Sequence, residues 1–127
     1  MDRIDDPSYI GPGTWYILHS EAINATDDQS IDEYIDMVHR ICSTFHCENC
    51  RYHCSREMQY DPPESYRNNF YIIEEGKEPM RLGMFIWSWQ YHNKVNVRLG
   101  KKGISWQEAY QKFKRHESSC TSVCKRL

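Results

Sequence analysis

Apolar residues recur every three or four positions along most of the chain, and no segment shows the alternation that predicts a strand. Ser30 and Glu33 have the spacing of a capping box at the start of the clearest stripe. The stripe predicts an amphipathic helix in which Cys42 is a small buried residue. Its apolar positions are Ile31, Tyr34, Ile35, Val38, Ile41, Cys42 and Phe45.

Two more helices are expected, one on each side of this stripe. Residues 1–10 are expected to form an irregular arm, and Pro12 then suits the first turn of a helix. The apolar positions of that first helix are Trp15, Leu18, Ala22 and Ile23. A third helix is expected over residues 47–60, because the Asp61-Pro62-Pro63 sequence that follows cannot continue it.

The second half of the chain predicts a longer and a shorter helix. Residues 64–78 are polar and lack clear periodicity, which indicates an exposed insertion. A fourth helix is then expected from Met80 to Leu99, ended by Gly100. A capping box that begins at Ser105 predicts a short fifth helix.

These elements predict an all-α fold, a four-helix bundle plus a short fifth helix. At 127 residues the chain is expected to form one domain, over residues 11–115, with a C-terminal tail at 116–127. The net charge of -2 gives no basic surface for nucleic acid. No run of about 18 apolar residues is present, so no membrane span is expected. The acidic first residues do not form a secretory signal, which predicts a cytoplasmic location.

The cysteines carry the candidate chemistry. Six cysteines without an export signal indicate metal or redox chemistry, and three interpretations are open. Zinc would need a second ligand pair beside Cys47-x-x-Cys50, and an iron–sulfur cluster would need Cys42 in a loop. Dithiol exchange suits Cys47 and Cys50, because the start of a helix stabilises a thiolate and lowers its pKa. The six positions are Cys42, Cys47, Cys50, Cys54, Cys120 and Cys124.

A polar face on the fourth helix indicates a binding site. His92, Asn93 and Asn96 lie three or four residues apart, and burying them is costly unless each finds a partner. Their donors and acceptors suit the edge of a heteroaromatic ring, although a solvated helix end is the alternative. His19 shares a helix face with Trp15, where an ordinary histidine at the edge of the core is the alternative.

Taken together, these motifs resemble the Erv/ALR family of FAD-linked sulfhydryl oxidases. The resemblance covers residues 11–115. Within the family, the chain is similar to the compact members found in large cytoplasmic DNA viruses. It is carried by Gly11-x3-Trp15-x3-His19-x2-Ala22, by Cys47-x-x-Cys50, by His92-Asn93-x-Val95-Asn96-x2-Leu99-Gly100-Lys101 and by Phe113.

The resemblance implies a bundle that cradles FAD at one end. Cys47 and Cys50 would be catalytic, with Cys50 next to the flavin and Cys47 meeting thiol-containing protein substrates, among them a thioredoxin-like or Cys-x-x-Cys carrier. Oxygen would accept the electrons, and a homodimer in the host cytoplasm or virion is expected. The residues implied to contact FAD are Gly11, Trp15, His19, Cys50, His92, Asn93, Val95, Asn96, Leu99, Lys101 and Phe113.

Some positions depart from the family pattern. Many members tie the fourth helix to the fifth with a disulfide, where this chain has Trp89 and Trp106, so aromatic packing is expected instead. Cys120 and Cys124 resemble the family's mobile shuttle pair, although exposed thiols or a tether to another cysteine are alternatives. A zinc-binding adaptor module that uses the same cysteines is the alternative function.

Overall fold

The computed structural model describes residues 7–114, with the side chains of residues 13–114. The fold is all-α with one very small hairpin, as the sequence predicts. None of the helices in the described part combines the length and apolar character needed to cross a membrane. The elements are α1 (Pro7–Asn24), α2 (Asp28–Thr44), α3 (Glu48–Tyr60), a 3-10 turn (Pro63–Tyr66), β1 (Tyr71–Ile72), β2 (Met80–Arg81), α4 (Gly83–Arg98) and α5 (residues 106–114).

The fourth helix is the centre of the bundle. Met84, Phe85 and Trp87 have no exposed surface, and α4 packs against both α1 and the 3-10 turn. The indole of Trp87 donates a hydrogen bond of 2.7 Å to the carbonyl of Asp61, which satisfies its buried N–H. Helices α2 and α3 pack against each other and form a corner beside this core.

The second helix begins one turn earlier than the capping box at Ser30 predicts. Asp27 is the N-cap, and its carboxylate accepts a hydrogen bond of 2.8 Å from the backbone N–H of Ser30. The Ser30 hydroxyl occupies the third helical position, where it accepts from the Asp27 backbone N–H. The prediction of the cap was therefore wrong, whereas the buried stripe of α2 is confirmed.

The fourth helix begins later than predicted. Met80 and Arg81 form β2, which pairs antiparallel with β1, and the N–H of Leu82 donates to the carbonyl of Phe70 at 2.9 Å. The backbone before Gly83 is thus already engaged in the hairpin. The end of the helix is as predicted, since Gly100 has a φ of 74°.

Two predicted irregular segments are partly ordered. Within the expected exposed insertion, Tyr66 is buried, and its hydroxyl lies within hydrogen-bond distance of Asp61 and Gln90. At the other end, α1 already begins at Pro7, inside the expected irregular arm. Both segments gain their order from local helical turns that the composition did not indicate.

The connection between α4 and α5 is held by a tryptophan. Trp89 donates an indole hydrogen bond of 2.7 Å to the carbonyl of Ile104, while Trp106 lines the same small cavity of about 220 Å³. The Ser105 hydroxyl accepts from the N–H of Glu108, which confirms the predicted cap of α5. A hydrogen bond from Trp89 therefore ties α4 to the connection before α5, near the positions where aromatic packing was expected.

Candidate redox site

A cavity of about 760 Å³ opens where the C-terminal ends of α2 and α4 meet the N-terminal end of α3. Parts of α1 and α5 complete its walls, so all five helices contribute. Most of its surface is apolar or aromatic, with a few polar groups. Of the residues that the resemblance implies, the lining includes Trp15, His19, Cys47, Cys50, His92, Val95, Asn96, Leu99, Lys101 and Phe113.

Cys47 and Cys50 are free, half-buried thiols in this cavity wall. Cys47 is the N-cap of α3, and its Sγ accepts a hydrogen bond of 3.2 Å from the backbone N–H of Cys50. Negative charge on that sulfur is therefore stabilised by the unpaired N–H groups of the first helical turn.

The electrostatics of Cys50 differ from the expectation for a helix start. Burial and the neighbouring Cys47 raise the pKa of Cys50 to about 11, while the positive charge of Arg98 acts in the opposite direction. The prediction that the helix start lowers the thiol pKa is thus wrong for Cys50, because desolvation and the second sulfur outweigh the helix N-terminus.

The other two described cysteines form a disulfide that the sequence analysis did not predict. Cys42 of α2 is bonded to Cys54 of α3, with Cα atoms 5.4 Å apart. Cys42 is buried as expected, but it is not simply a small apolar residue. The available signal in the sequence was the short connection between α2 and α3, which places residues of α2 opposite residues of α3. With both sulfurs in this bond, neither is free as a zinc or cluster ligand.

An aromatic wall lines the same cavity as the two cysteines. The rings of Trp15 and His92 stack with centroids 4.0 Å apart and planes 5° apart. The ring of Tyr91 makes a T-shaped contact with Trp15, with centroids 5.2 Å apart. The ring centroids of Phe113 and His19 are 4.8 Å apart. The wall thus joins ring side chains from α1, α4 and α5, and the pair of Trp15 and His92 is its parallel part.

A chain of hydrogen bonds holds the two histidines of this wall. The Ser88 hydroxyl donates to the carbonyl of Phe85 at 2.8 Å and therefore accepts from Nδ1–H of His19 at 2.9 Å. Nε2 of His19 must then accept from Nδ1–H of His92, at 2.8 Å. This order of donors leaves Nε2 of His92 as an acceptor.

Both imidazoles are neutral at neutral pH. Burial, followed by the charges of His92 and Lys112, lowers the pKa of His19 to about 3. Burial and the nearby Lys101 and Lys112 lower the pKa of His92 to about 4. The side chain of His19 is buried and lines the cavity.

A family model described as the Erv1 / Alr family matches residues 12–116, most of the chain. The chain belongs to the Erv1 / Alr family. An "FAD-linked sulfhydryl oxidase" of African swine fever virus is 29% identical over 101 residues, which cover 77% of this chain and 74% of the viral protein. A rice protein, "Sulfhydryl oxidase 1", is 30% identical over 90 residues, which cover 71% of this chain but only 15% of the rice protein.

The structure of this Erv1 / Alr member places some motif residues away from the cavity wall. The amide of Asn93 donates to the carbonyl of Ile104 at 3.1 Å, so it holds the connection between α4 and α5. Asn96 does line the cavity, and its backbone carbonyl accepts a hydrogen bond of 2.7 Å from the backbone N–H of Lys101. The predicted shuttle pair at residues 120 and 124 lies outside the described residues, as does the environment of Gly11.

Sequence reasoning missed several residues of the site. Lys112 and Arg98 bring positive charge to the cavity lining. Burial raises the pKa of Tyr91, which also lines the cavity, to about 12. Arg51 donates a side-chain hydrogen bond to the carbonyl of Phe45 and so fixes the loop that carries Cys47. For Lys112 the signal was its place next to Phe113 on α5.

Proposed function

We propose that the protein is an FAD-dependent thiol oxidase that forms disulfide bonds in thiol-containing proteins. The observation that carries this proposal is the position of Cys47 and Cys50 in the same cavity as the stacked wall of Trp15 and His92. Membership of the Erv1 / Alr family and the names of the viral and rice relatives support it.

The residues of the cavity fit a flavin nucleotide. Its volume of about 760 Å³ lies within the range of cofactor sites, and Trp15 offers a flat face on which a heteroaromatic ring can pack. Nε2 of His92 offers an acceptor for a ring N–H. Lys101 and Lys112 supply positive charge for a pyrophosphate. We propose that FAD is held by these groups together with His19, Val95, Asn96, Leu99 and Phe113.

The protein's own sulfurs perform the exchange with the substrate. A substrate thiolate attacks Sγ of Cys47 in the oxidised pair, so a mixed disulfide forms and Cys50 leaves as a thiolate. A second substrate thiolate then attacks the substrate sulfur of the mixed disulfide, which releases Cys47 as a thiolate beside the first N–H groups of α3. The substrate gains a disulfide, and the pair holds two electrons.

The cofactor supplies the remaining redox chemistry. FAD held by the cavity residues would supply the means to carry the two electrons from the reduced pair to oxygen, with hydrogen peroxide as the product. The positive charge of Arg98 favours the thiolate form of Cys50, against the effect of burial.

We further propose that the protein is a homodimer and that Cys120 and Cys124 act as a shuttle pair. A cytoplasmic location remains a prediction of the sequence.

An absorption spectrum of the purified full-length chain, before and after dithiothreitol, tests the proposal. We expect a flavin band near ~450 nm that bleaches with dithiothreitol and recovers in air. The Cys50→Ser variant should keep the band but no longer bleach. A flavin that dithiothreitol does not bleach in the wild type would contradict the oxidase, and a colourless protein that contains zinc would favour the adaptor module.

The shuttle role needs a separate comparison. Replacing Cys120 and Cys124 together with serine should slow the oxidation of a protein substrate and leave the oxidation of dithiothreitol unchanged. Equal rates with the protein substrate would exclude the shuttle. Because the small dithiol reaches Cys47 directly, it reports whether the redox pair itself is intact.

A further inference from the structure

Four cysteines line the same cavity: the free pair Cys47 and Cys50, and the bonded pair Cys42 and Cys54. Cys54 follows Cys50 by four residues on α3, so the two side chains leave the helix on the same face, with Cβ atoms about 5–6 Å apart. Cys42 reaches Cys54 from α2. The two pairs are therefore neighbours along one wall.

The bonded pair is poorly accessible from outside. Cys42 is 5% exposed and Cys54 is 8% exposed, whereas Cys47 and Cys50 are half-buried. Thiol–disulfide exchange requires that the attacking sulfur reaches the sulfur it attacks, so a bulky external disulfide is at a disadvantage here. A disulfide between Cys47 and Cys50 would lie next to both thiols within the folded chain.

We propose that the Cys47–Cys50 disulfide oxidises Cys42 and Cys54 of its own chain, so that this second pair is an internal substrate of the site. The inference rests on the proposed function, because that activity must regenerate the Cys47–Cys50 disulfide after each transfer. It assigns the Cys42–Cys54 bond to the protein's own chemistry rather than to an external oxidant.

The transfer takes two exchange steps. The Cys42 thiol loses its proton to solvent and attacks Sγ of Cys50, so a Cys42–Cys50 bond forms between α2 and α3 and the Cys47–Cys50 bond breaks. Cys47 leaves as a thiolate at the N-cap of α3 and takes up a proton. A direct Cys50–Cys54 bond is disfavoured, because the separation of about 5–6 Å between their Cβ atoms exceeds the roughly 3.5–4.5 Å that a disulfide spans.

In the second step Cys54 replaces Cys50. The Cys54 thiol loses its proton and attacks Sγ of Cys42, the Cys42–Cys54 bond forms, and Cys50 leaves as a thiolate that takes up a proton. Two electrons have moved from Cys42 and Cys54 to Cys47 and Cys50, and the two protons lost by one pair balance those gained by the other. The Cα separation of 5.4 Å between Cys42 and Cys54 suits the product.

The product joins two walls of the cavity. Ile41 and Phe45 of α2 flank Cys42 in the lining, and Cys50 lies one turn before Cys54 in α3. A covalent link between Cys42 and Cys54 fixes these walls relative to each other. The site would thus complete its own scaffold after its first turnovers.

Trapping the thiols of the full-length protein tests the inference. Wild type, Cys47→Ser and Cys50→Ser are produced in a reducing cytoplasm, quenched in acid, alkylated and mapped by peptide mass spectrometry. We expect wild type to carry the Cys42–Cys54 bond, and both variants to lose it by about tenfold. Ser43→Ala, at an exposed position next to Cys42 and outside the cavity lining, is the control and should be bonded like wild type. Circular dichroism establishes that each protein is folded.

Three outcomes would overturn the inference. If the Cys42–Cys54 bond is complete in both serine variants while wild type oxidises dithiothreitol, the bond has another origin and the proposed function stands. If wild type oxidises no dithiothreitol, both proposals fail. If catalytic amounts of wild type close the bond in reduced Cys50→Ser protein as fast as in itself, the transfer is not internal to one chain.

Discussion

His19 and His92 share a hydrogen between Nε2 of the first ring and Nδ1 of the second, at 2.8 Å. The two residues are 73 positions apart in the chain, and their contact joins α1 to α4 at the cavity. Both rings must stay neutral to keep this arrangement, because protonation of His19 would place two N–H groups against each other. The contact therefore makes the stability of the protein sensitive to acid.

Acidification is expected to destabilise the fold through His19. Its pKa is lowered by burial from the ordinary 6.5 to about 3, so between these values the unfolded chain binds more protons than the folded one. The stability that depends on neutral His19 is thus fully present above pH 6.5 and is lost as the pH falls towards 3. For His19 alone, the loss from pH 7 to pH 5 is about 2 kcal/mol.

Urea denaturation at a series of pH values measures this effect. The variant His19→Asn should show a flatter dependence between pH 7 and pH 5 than wild type, whatever its stability at pH 7. Carboxylates contribute equally to both proteins, so the difference between the curves isolates the histidine. Parallel curves would show that His19 is not the group that titrates.

Positive charge at the cavity is expected to contribute to the binding of an anionic cofactor. Lys112 and Lys102 are both exposed, but Lys112 lines the cavity and Lys102 does not. Lys112→Gln should weaken FAD binding by about tenfold at low salt, and the loss should shrink as salt screens the charge. Titration of the apoprotein with FAD measures it. Lys102→Gln is the control, and an equal loss in both variants would indicate only a general charge effect.

Gly83 is expected to be intolerant of a side chain. A Cβ at this position would overlap the backbone carbonyl of Tyr66, which α4 packs against. Gly83→Ala should therefore cost about 2–3 kcal/mol of unfolding free energy. Gly13→Ala is the matched control, because nothing lies within 4 Å of the added carbon in α1. Equal unfolding midpoints for the two variants would contradict the close packing.

Trp89 is expected to contribute a hydrogen bond that Trp106 does not. Its indole donates to Ile104, whereas the indole of Trp106 makes no such bond within residues 7–114. Both rings are partly buried, so replacement by phenylalanine removes similar apolar area. Trp89→Phe should cost about 1 kcal/mol more than Trp106→Phe in denaturant unfolding. A larger loss for Trp106→Phe would contradict this assignment.

The fold follows from periodicity wherever one side of a helix is buried. The stripe of α2 is strong enough to predict its burial, and Gly100 marks the end of α4. The starts of the helices were harder to predict. Asp27 displaces Ser30 as the cap because its carboxylate accepts from the backbone N–H of Ser30, and the hairpin at Met80 uses backbone groups that a helix would need.

The candidate site could be predicted as a set of motifs but not as a geometry. Trp15 and His92 are recognisable in the sequence, yet their parallel stacking depends on how α1 crosses α4. The raised pKa of Cys50 depends on burial, which spacing does not reveal. The bond between Cys42 and Cys54 depends on the corner between two helices, each of which was interpreted separately.

The cysteine side and the aromatic side of the cavity differ in the length of the chain segment that must close into a loop to form them. The disulfide joins residues 12 positions apart, whereas the hydrogen bond between the histidines spans 73 positions. Closing the shorter loop costs less conformational entropy, and a chain made from its N-terminus has the whole α2–α3 corner before α4 exists. The sulfur chemistry is thus encoded in a local folding unit, and the aromatic wall that would give it an electron acceptor forms only when the last third of the chain arrives.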